Sequence, residues 1–206
     1  MNLGTNPALV VIDMQNGFCD AKGFMNQIGL GYEPSAAAIE PIQRLLASAR
    51  EARIPIFFTR YSLNDDFSDA GLLLEVFPAI QEAEGMVRGT WDADITDALT
   101  PQPGEGVIDK TRYSAFYDTD LEEQLRGLGV DTLIVCGVTT NICVESTVRD
   151  AFFRDIRVVV PSDGTAAVTP ELHEGALADF EYGFGTVTTV GELEQALATL
   201  PQAVPR

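Results

Sequence analysis

Positive charge is scarce in this 206-residue chain. Lys22 and Lys110 are its two lysines, and with eleven arginines they face 31 acidic residues, for a formal net charge of −18. That balance repels phosphate backbones and anionic lipid at long range, so neither nucleic acid nor a membrane is expected as a partner. It fits a salty habitat and a device for solubility equally well. Histidine occurs once, at His173, which excludes a histidine-rich metal site. No metal and no other cofactor is expected, an all-carboxylate site being the alternative left open. Cys19, Cys136 and Cys143 are odd in number and irregularly spaced, which argues against a disulfide framework and a C-x-x-C centre. Reduced thiols suit the cytoplasm, the expected location. No apolar run approaches the roughly 20 residues of a membrane span, and no basic segment precedes a signal-type apolar stretch. The chain also lacks G-x-G-x-x-G after its first apolar run and any Walker-type loop, which argues against a nicotinamide-dependent oxidoreductase.

What is present is ample apolar material: 46% of the residues are hydrophobic, enough for one sizeable core and a single domain over residues 1–206. The tail "PQAVPR" is expected to fray. Short β-branched runs, "ALVVI", "PIFFTR", "GVIDK", "DTLIVCGV", "IRVVV" and "GTVTTV", alternate with helical patterns such as "AAAIEPIQRLLASAREARI" and "PELHEGALADFEYG". Six strands with helical crossovers predict an α/β fold, a three-layer αβα Rossmann-like arrangement with a six-stranded parallel sheet. The segment from Tyr61 to Gly89 has weak periodicity and is assigned to a lid or a subunit contact.

In such sheets ligands sit beyond the carboxyl ends of the strands. Three strand ends carry reactive groups. Asp13 closes the first strand, Lys110 closes "GVIDK", and Cys143 lies in "GVTTNICVE" where a helix begins. A helix amino terminus and a nearby ammonium both lower a thiol pKa, and a carboxylate in reach serves as general acid and base. Thr139, Thr140 and Asn141 are suited to shape the turn and cap the helix. His173 reads as a helix-surface or packing residue, Cys136 as a small buried hydrophobe, and Cys19 stays ambiguous.

The stretches "ALVVIDMQNGFC", "DKTRYSAFYDTDLEEQLRGLGVDTLIVCGVTTNICVESTVRDAFFRD" and "VVVPSDGTAA" resemble the isochorismatase-like cysteine hydrolases, over roughly Pro7 to Leu197. The resemblance implies a catalytic triad of Asp13, Lys110 and Cys143. It also implies a cis peptide at Val138-Thr139 and an oxyanion hole made by the amides of Thr139 and Cys143. Nicotinamidases of that family carry an Asp-x-His metal element after the second strand, whereas the matching region here, "FFTRYSLNDDF", has no histidine. Within the family the chain looks most like the branch containing ureidoacrylate, biuret and N-carbamoyl amino acid amidohydrolases, and the family resemblance suggests a homodimer or homotetramer.

The expected activity is therefore cysteine-dependent cleavage of a C–N bond in a small amide or ureido compound, through a covalent thioester-type intermediate. The alternatives are vinyl ether hydrolysis of the isochorismatase type, a thiol redox sensor without turnover, and a binding module using the acidic surface. Gln15, Asn16, Phe18, Asn64, Trp91, Tyr113 and Tyr117 are the candidate substrate contacts, because they follow strand ends. If the substrate is an acid, Arg60, Arg88 and Arg112 are the available cations; neutral amides and ureas remain open.

Overall fold

The β-branched runs become strands whose side chains are almost wholly inside. A computed structural model of the protein describes residues 3–200, so the expectation for the tail lies outside the described residues. The strands are β1 (Pro7–Ile12), β2 (Ile56–Tyr61), β3 (Gly106–Lys110), β4 (Thr132–Val138), β5 (Arg157–Pro161), β6 (Thr165–Ala166) and β7 (Thr186–Thr188). They form one sheet in the order β3-β2-β1-β4-β5-β7, with β6 paired to the end of β4, and every pairing is parallel.

The six expected strands are all present. The seventh, β6, is two residues long, too short to carry an alternation that a sequence could reveal. It pairs with Gly137 and Val138.

β1 and β4 are buried along their full length, because helices cover both faces. Leu9, Val11, Ile134 and Cys136 pack with Leu45, Leu46 and Ala49 of the Ile39–Ala52 helix and with Leu193 and Leu197 of the Val190–Ala198 helix. The alternate residues Val10, Ile12, Leu133 and Val135 pack with Leu125, Val148, Ala151 and Phe180, from the helices Leu121–Gly127, Glu145–Phe152 and Pro170–Gly183. Each such aliphatic contributes about 1.5–3 kcal/mol by leaving water. Capping fixes where the last two helices start. Thr169 accepts from the Leu172 amide with Pro170 at the first turn, and Thr189 and Glu192 form a reciprocal capping box. No helix among the described residues is long and apolar enough to cross a membrane.

A third apolar cluster, including Phe24, Met25, Tyr61, Leu63, Ile80 and Met86, is built from the loops that follow β1 and β2. The segment assigned to a lid or subunit contact thus packs onto the carboxyl end of the sheet. Its short helices, Leu73–Val76 and Ala79–Glu82, are one turn each, which is why no helical period appears in the sequence.

Candidate active site

Parallel pairing sets three strand ends side by side. β1 lies between β2 and β4, and Lys110 is the register partner of Tyr61 at the far side of β2. Asp13 follows β1 directly with φ +49°, a left-handed conformation that aspartate tolerates better than most residues. Its amide donates to Thr59 Oγ1 at 3.0 Å, and the same hydroxyl donates to Asp13 Oδ1 at 2.5 Å. Lys110 Nζ donates to Asp13 Oδ2 at 2.7 Å and to the Arg112 carbonyl at 3.1 Å, and it sits 4.8 Å from the Tyr61 ring centroid. Both side chains of this ion pair are fully buried. Removing two charges from water costs several kcal/mol per ion, so such a pair persists only with its remaining polar atoms bonded. Thr59 and the Arg112 carbonyl supply those bonds.

The Cys143 thiol interacts with both Asp13 and Lys110. Gly137, before the turn, has φ +108°, and a Cβ there would fall 2.1 Å from the Ile12 carbonyl oxygen, so the crossing of β4 past β1 requires glycine. The Val138-Thr139 peptide is cis. Thr140–Val144 then forms a π-helical turn, which leads into the Glu145–Phe152 helix. Thr147 Oγ1 donates to the Cys143 carbonyl at 2.8 Å and accepts from the Ala115 amide at 3.1 Å. Thr140 Oγ1 lies 2.9 Å from His173 Nδ1, which joins the turn to the Pro170–Gly183 helix.

The expected lowering of the Cys143 pKa is overturned. Burial pushes the thiol up, the Lys110 ammonium opposes this, and the Asp13 carboxylate adds to it, so the net shift is upward. Desolvation is the largest of these effects and exceeds the opposing pull of the ammonium. Burial pulls Lys110 down, but Asp13 and Cys143 outweigh that and hold it above its ordinary value.

Cys143 and Thr139 open into a cavity of about 250 Å³. Of the candidate substrate contacts, Phe18 and Tyr113 line it; the other five do not. Gln15 is consumed internally, its Nε2 donating to the carbonyls of Tyr61 and Ala93 and its Oε1 accepting from the Tyr61 amide. Asn16 donates to the Trp91 carbonyl, and Asn64 bonds Ser68 and Arg88. Trp91 and Tyr117 are exposed outside the cavity, with Tyr117 under the Arg112 guanidinium. A position just after a strand end brings a residue near the site but leaves the direction of its side chain open, and here the backbone claimed the amides.

The cavity wall contains residues that the sequence did not single out, among them Phe24, Met25, Leu30, Met86, Ile142 and Val168. Thr59 was missed as well. A hydroxyl in the otherwise apolar first half of β2, "IFFT", was the signal that pointed to it. Larger surface hollows, of about 710 and 680 Å³, are lined by the Phe152–Thr186 region and by residues around Leu3 and Thr188. Neither contains a member of the buried cluster.

Cys136 packs inside the core with its pKa raised by burial, and Cys19 is also buried, its thiol pushed up to about 12 by burial and then by Asp20. Among the described residues no group of three or more His, Cys, Asp and Glu side chains is placed to hold a metal.

A family model described as the isochorismatase domain matches residues 7–192. Ureidoacrylate amidohydrolase RutB of Methylorubrum extorquens AM1 is 37% identical over 205 residues, covering 93% of this chain and 82% of that protein. Among solved structures, a cysteine hydrolase from Pseudomonas syringae pv. phaseolicola superposes with a TM-score of 0.87 at 33% identity, covering 96% of this chain and 94% of the other. N-carbamoylsarcosine amidase from Thermoplasma acidophilum gives a TM-score of 0.74 at 26% identity, covering 90% and 96%.

Proposed function

This chain belongs to the isochorismatase family, and from that membership we propose that it is a cysteine-dependent amidohydrolase cleaving a non-peptide C–N bond in a small amide or ureido compound. The observation that carries the reading is the fully buried Lys110–Asp13 pair, 2.7 Å apart, with the Cys143 thiol electrostatically coupled to both partners. The amidohydrolase names of similar proteins support the same class.

In this reading Asp13 accepts the Cys143 proton as Sγ attacks the carbonyl carbon, which forms a C–S bond and a tetrahedral oxyanion. Burial disfavours the free thiolate, and a base beside the sulfur offsets that during attack. The amides of Thr139 and Cys143 face the oxyanion, each donor stabilising it by about 3–4 kcal/mol. Collapse breaks the C–N bond, and the amine leaves with the proton held by Asp13. Water then gives a proton to Asp13 and attacks the thioester or thiocarbamate; the C–S bond breaks and the thiol is restored. Lys110 keeps Asp13 oriented and balances the charge that appears on sulfur.

Cys143→Ala is the decisive variant. Ammonia release should fall by on the order of 10⁴-fold or more, with circular dichroism and thermal midpoint nearly unchanged. A variant that retains turnover refutes the scheme.

A further inference from the structure

The chemistry of the floor says which bond breaks; the wall says what the rest of the substrate looks like. Beyond Cys143 and Thr139 the cavity is faced by Phe18, Phe24, Met25, Leu73, Phe77 and Ile80, and neither an arginine nor a carboxylate lines it. Lys110 is spoken for by Asp13 and the Arg112 carbonyl. The arginines available to hold a carboxylate are engaged elsewhere. Arg60 grips Asp109 through two bonds of 2.7 and 3.0 Å, Arg88 bonds Ser62 and Asn64, and Arg112 donates to the carbonyls of Asp69 and Thr111.

We infer that the substrate is a small, uncharged primary amide whose acyl group is apolar, rather than a ureido acid or other anionic amide. The inference rests on the amidohydrolase reading and narrows it. An anionic group against this wall would exchange water for the Tyr113 phenol and the Thr139 hydroxyl with no cation lining the cavity to balance its charge, and the chain's own charge of −18 opposes its approach. A cationic substrate fares no better, because no acidic side chain lines the wall to meet it. The volume, about 250 Å³, lies below that of sites for drug-sized ligands. The reaction is RCONH₂ + H₂O → RCOO⁻ + NH₄⁺, so a neutral substrate that the wall accepts becomes an anion that it rejects. Product release is thereby built into the apolar lining.

The test is a specificity series on the intact protein: isobutyramide, hexanamide and benzamide against succinamate and 3-ureidoacrylate, with ammonia release as the readout and Cys143→Ala as the blank. Expected is a kcat/KM for the best neutral apolar amide at least 100-fold above that of either anion. A second variant adds a cation to the wall without burying it. Val76 lines the cavity yet is 77% exposed, and Val76→Arg should cut the neutral-over-anion ratio at least fivefold. Turnover of 3-ureidoacrylate or succinamate above the apolar amides overturns the inference and leaves the amidohydrolase reading standing. Ammonia from none of the five, with no acyl adduct on Cys143 by mass spectrometry, overturns both.

Discussion

The floor and the wall of this cavity are made by opposite means. The floor is polar and buried: Cys143 lines the cavity, and Asp13, Thr59 and Lys110 belong to the buried polar group beneath it, all four standing on or just beyond β4, β1, β2 and β3, where sheet pairing sets their positions. The wall is apolar and comes from loops, with Phe18, Phe24 and Met25 following β1, and Leu73, Phe77 and Met86 following β2. Reactive groups sit on the rigid part because their geometry tolerates little error, whereas shape and polarity are set by segments free to vary.

The strongest way to break the comparison is to disturb the floor. Lys110→Met leaves the Asp13 carboxylate buried without its counter-ion, and a destabilisation of about 3–5 kcal/mol is expected, read from the denaturant midpoint. Activity should vanish with it. Replacing both partners, as Asp13→Asn with Lys110→Met, should recover part of the stability and none of the turnover. If the single variant is as stable as the parent, the pair is not the keystone of the floor.

Alkaline pH separates the thiols. Burial raises Cys19 to about 12 and moves Cys136 and Cys143 upward too, while Lys110 is raised by its partners. A group whose folded pKa lies above its unfolded value contributes stability that is complete below the unfolded pKa and is lost as pH rises toward the folded one. Stability should therefore hold to about pH 8.5–9, where unfolded cysteines ionise, and fall steadily toward pH 12. Cys19→Ala should flatten that slope. Iodoacetamide at alkaline pH sharpens the distinction, since it should reach Cys143, which lines the cavity, while Cys19 and Cys136 react only on unfolding. Labelling of Cys136 in the folded protein would contradict its place inside the sheet.

How much of this was legible beforehand follows the same division. That three strand ends carry an acid, an ammonium and a thiol was visible in "ALVVID", "GVIDK" and "TLIVCGV", their grouping as a triad came with the family resemblance, and the strand order that sets these ends side by side belongs to the structure. β6 was not, because two residues carry no period. Gln15 and Asn16 misled for a different reason. They follow a strand end like true ligands, but buried backbone carbonyls of Tyr61, Ala93 and Trp91 need donors, and the nearest amides supply them. The wall stayed hidden since one-turn helices give no periodicity, and residues 24–30 and 73–86 meet only in three dimensions. The direction of the Cys143 shift was misjudged because burial, which sequence does not quantify, outweighs the ammonium.

A smaller effect is expected where Thr59 braces the floor. Thr59→Val keeps the shape and removes the hydroxyl that both accepts from the Asp13 amide and donates to its carboxylate. A loss of about 1–3 kcal/mol is expected from the unpaired buried groups. The kcat should fall by roughly ten- to a hundredfold with KM little changed, since misplacing a catalytic base costs rate rather than binding. Thr59→Ser, which restores the hydroxyl, should recover most of the rate. A fall in kcat that serine does not repair would mean that the methyl packing, not the hydrogen bond, is what matters.

The smallest effect concerns the chain's one histidine. His173 is half-buried and bonds Thr140 in the turn that carries Cys143. Burial lowers its pKa, with Glu174 opposing, so the neutral ring is the folded form at pH 7. A group with a depressed folded pKa destabilises the fold as pH drops below its unfolded value near 6.5. His173→Ala should cost about 1 kcal/mol or less, lower kcat only severalfold and remove a shallow loss of thermal stability as pH falls below about 6.5, seen by comparing melting curves of the two proteins on either side of that pH. Since Thr140 touches no reacting atom, the effect on rate passes through the placement of the turn. His173→Gln, whose amide reaches similarly without titrating, should keep the rate and lose the pH dependence. If alanine and glutamine behave alike at every pH, the turn is held by Thr147 and the cis bond's surroundings alone.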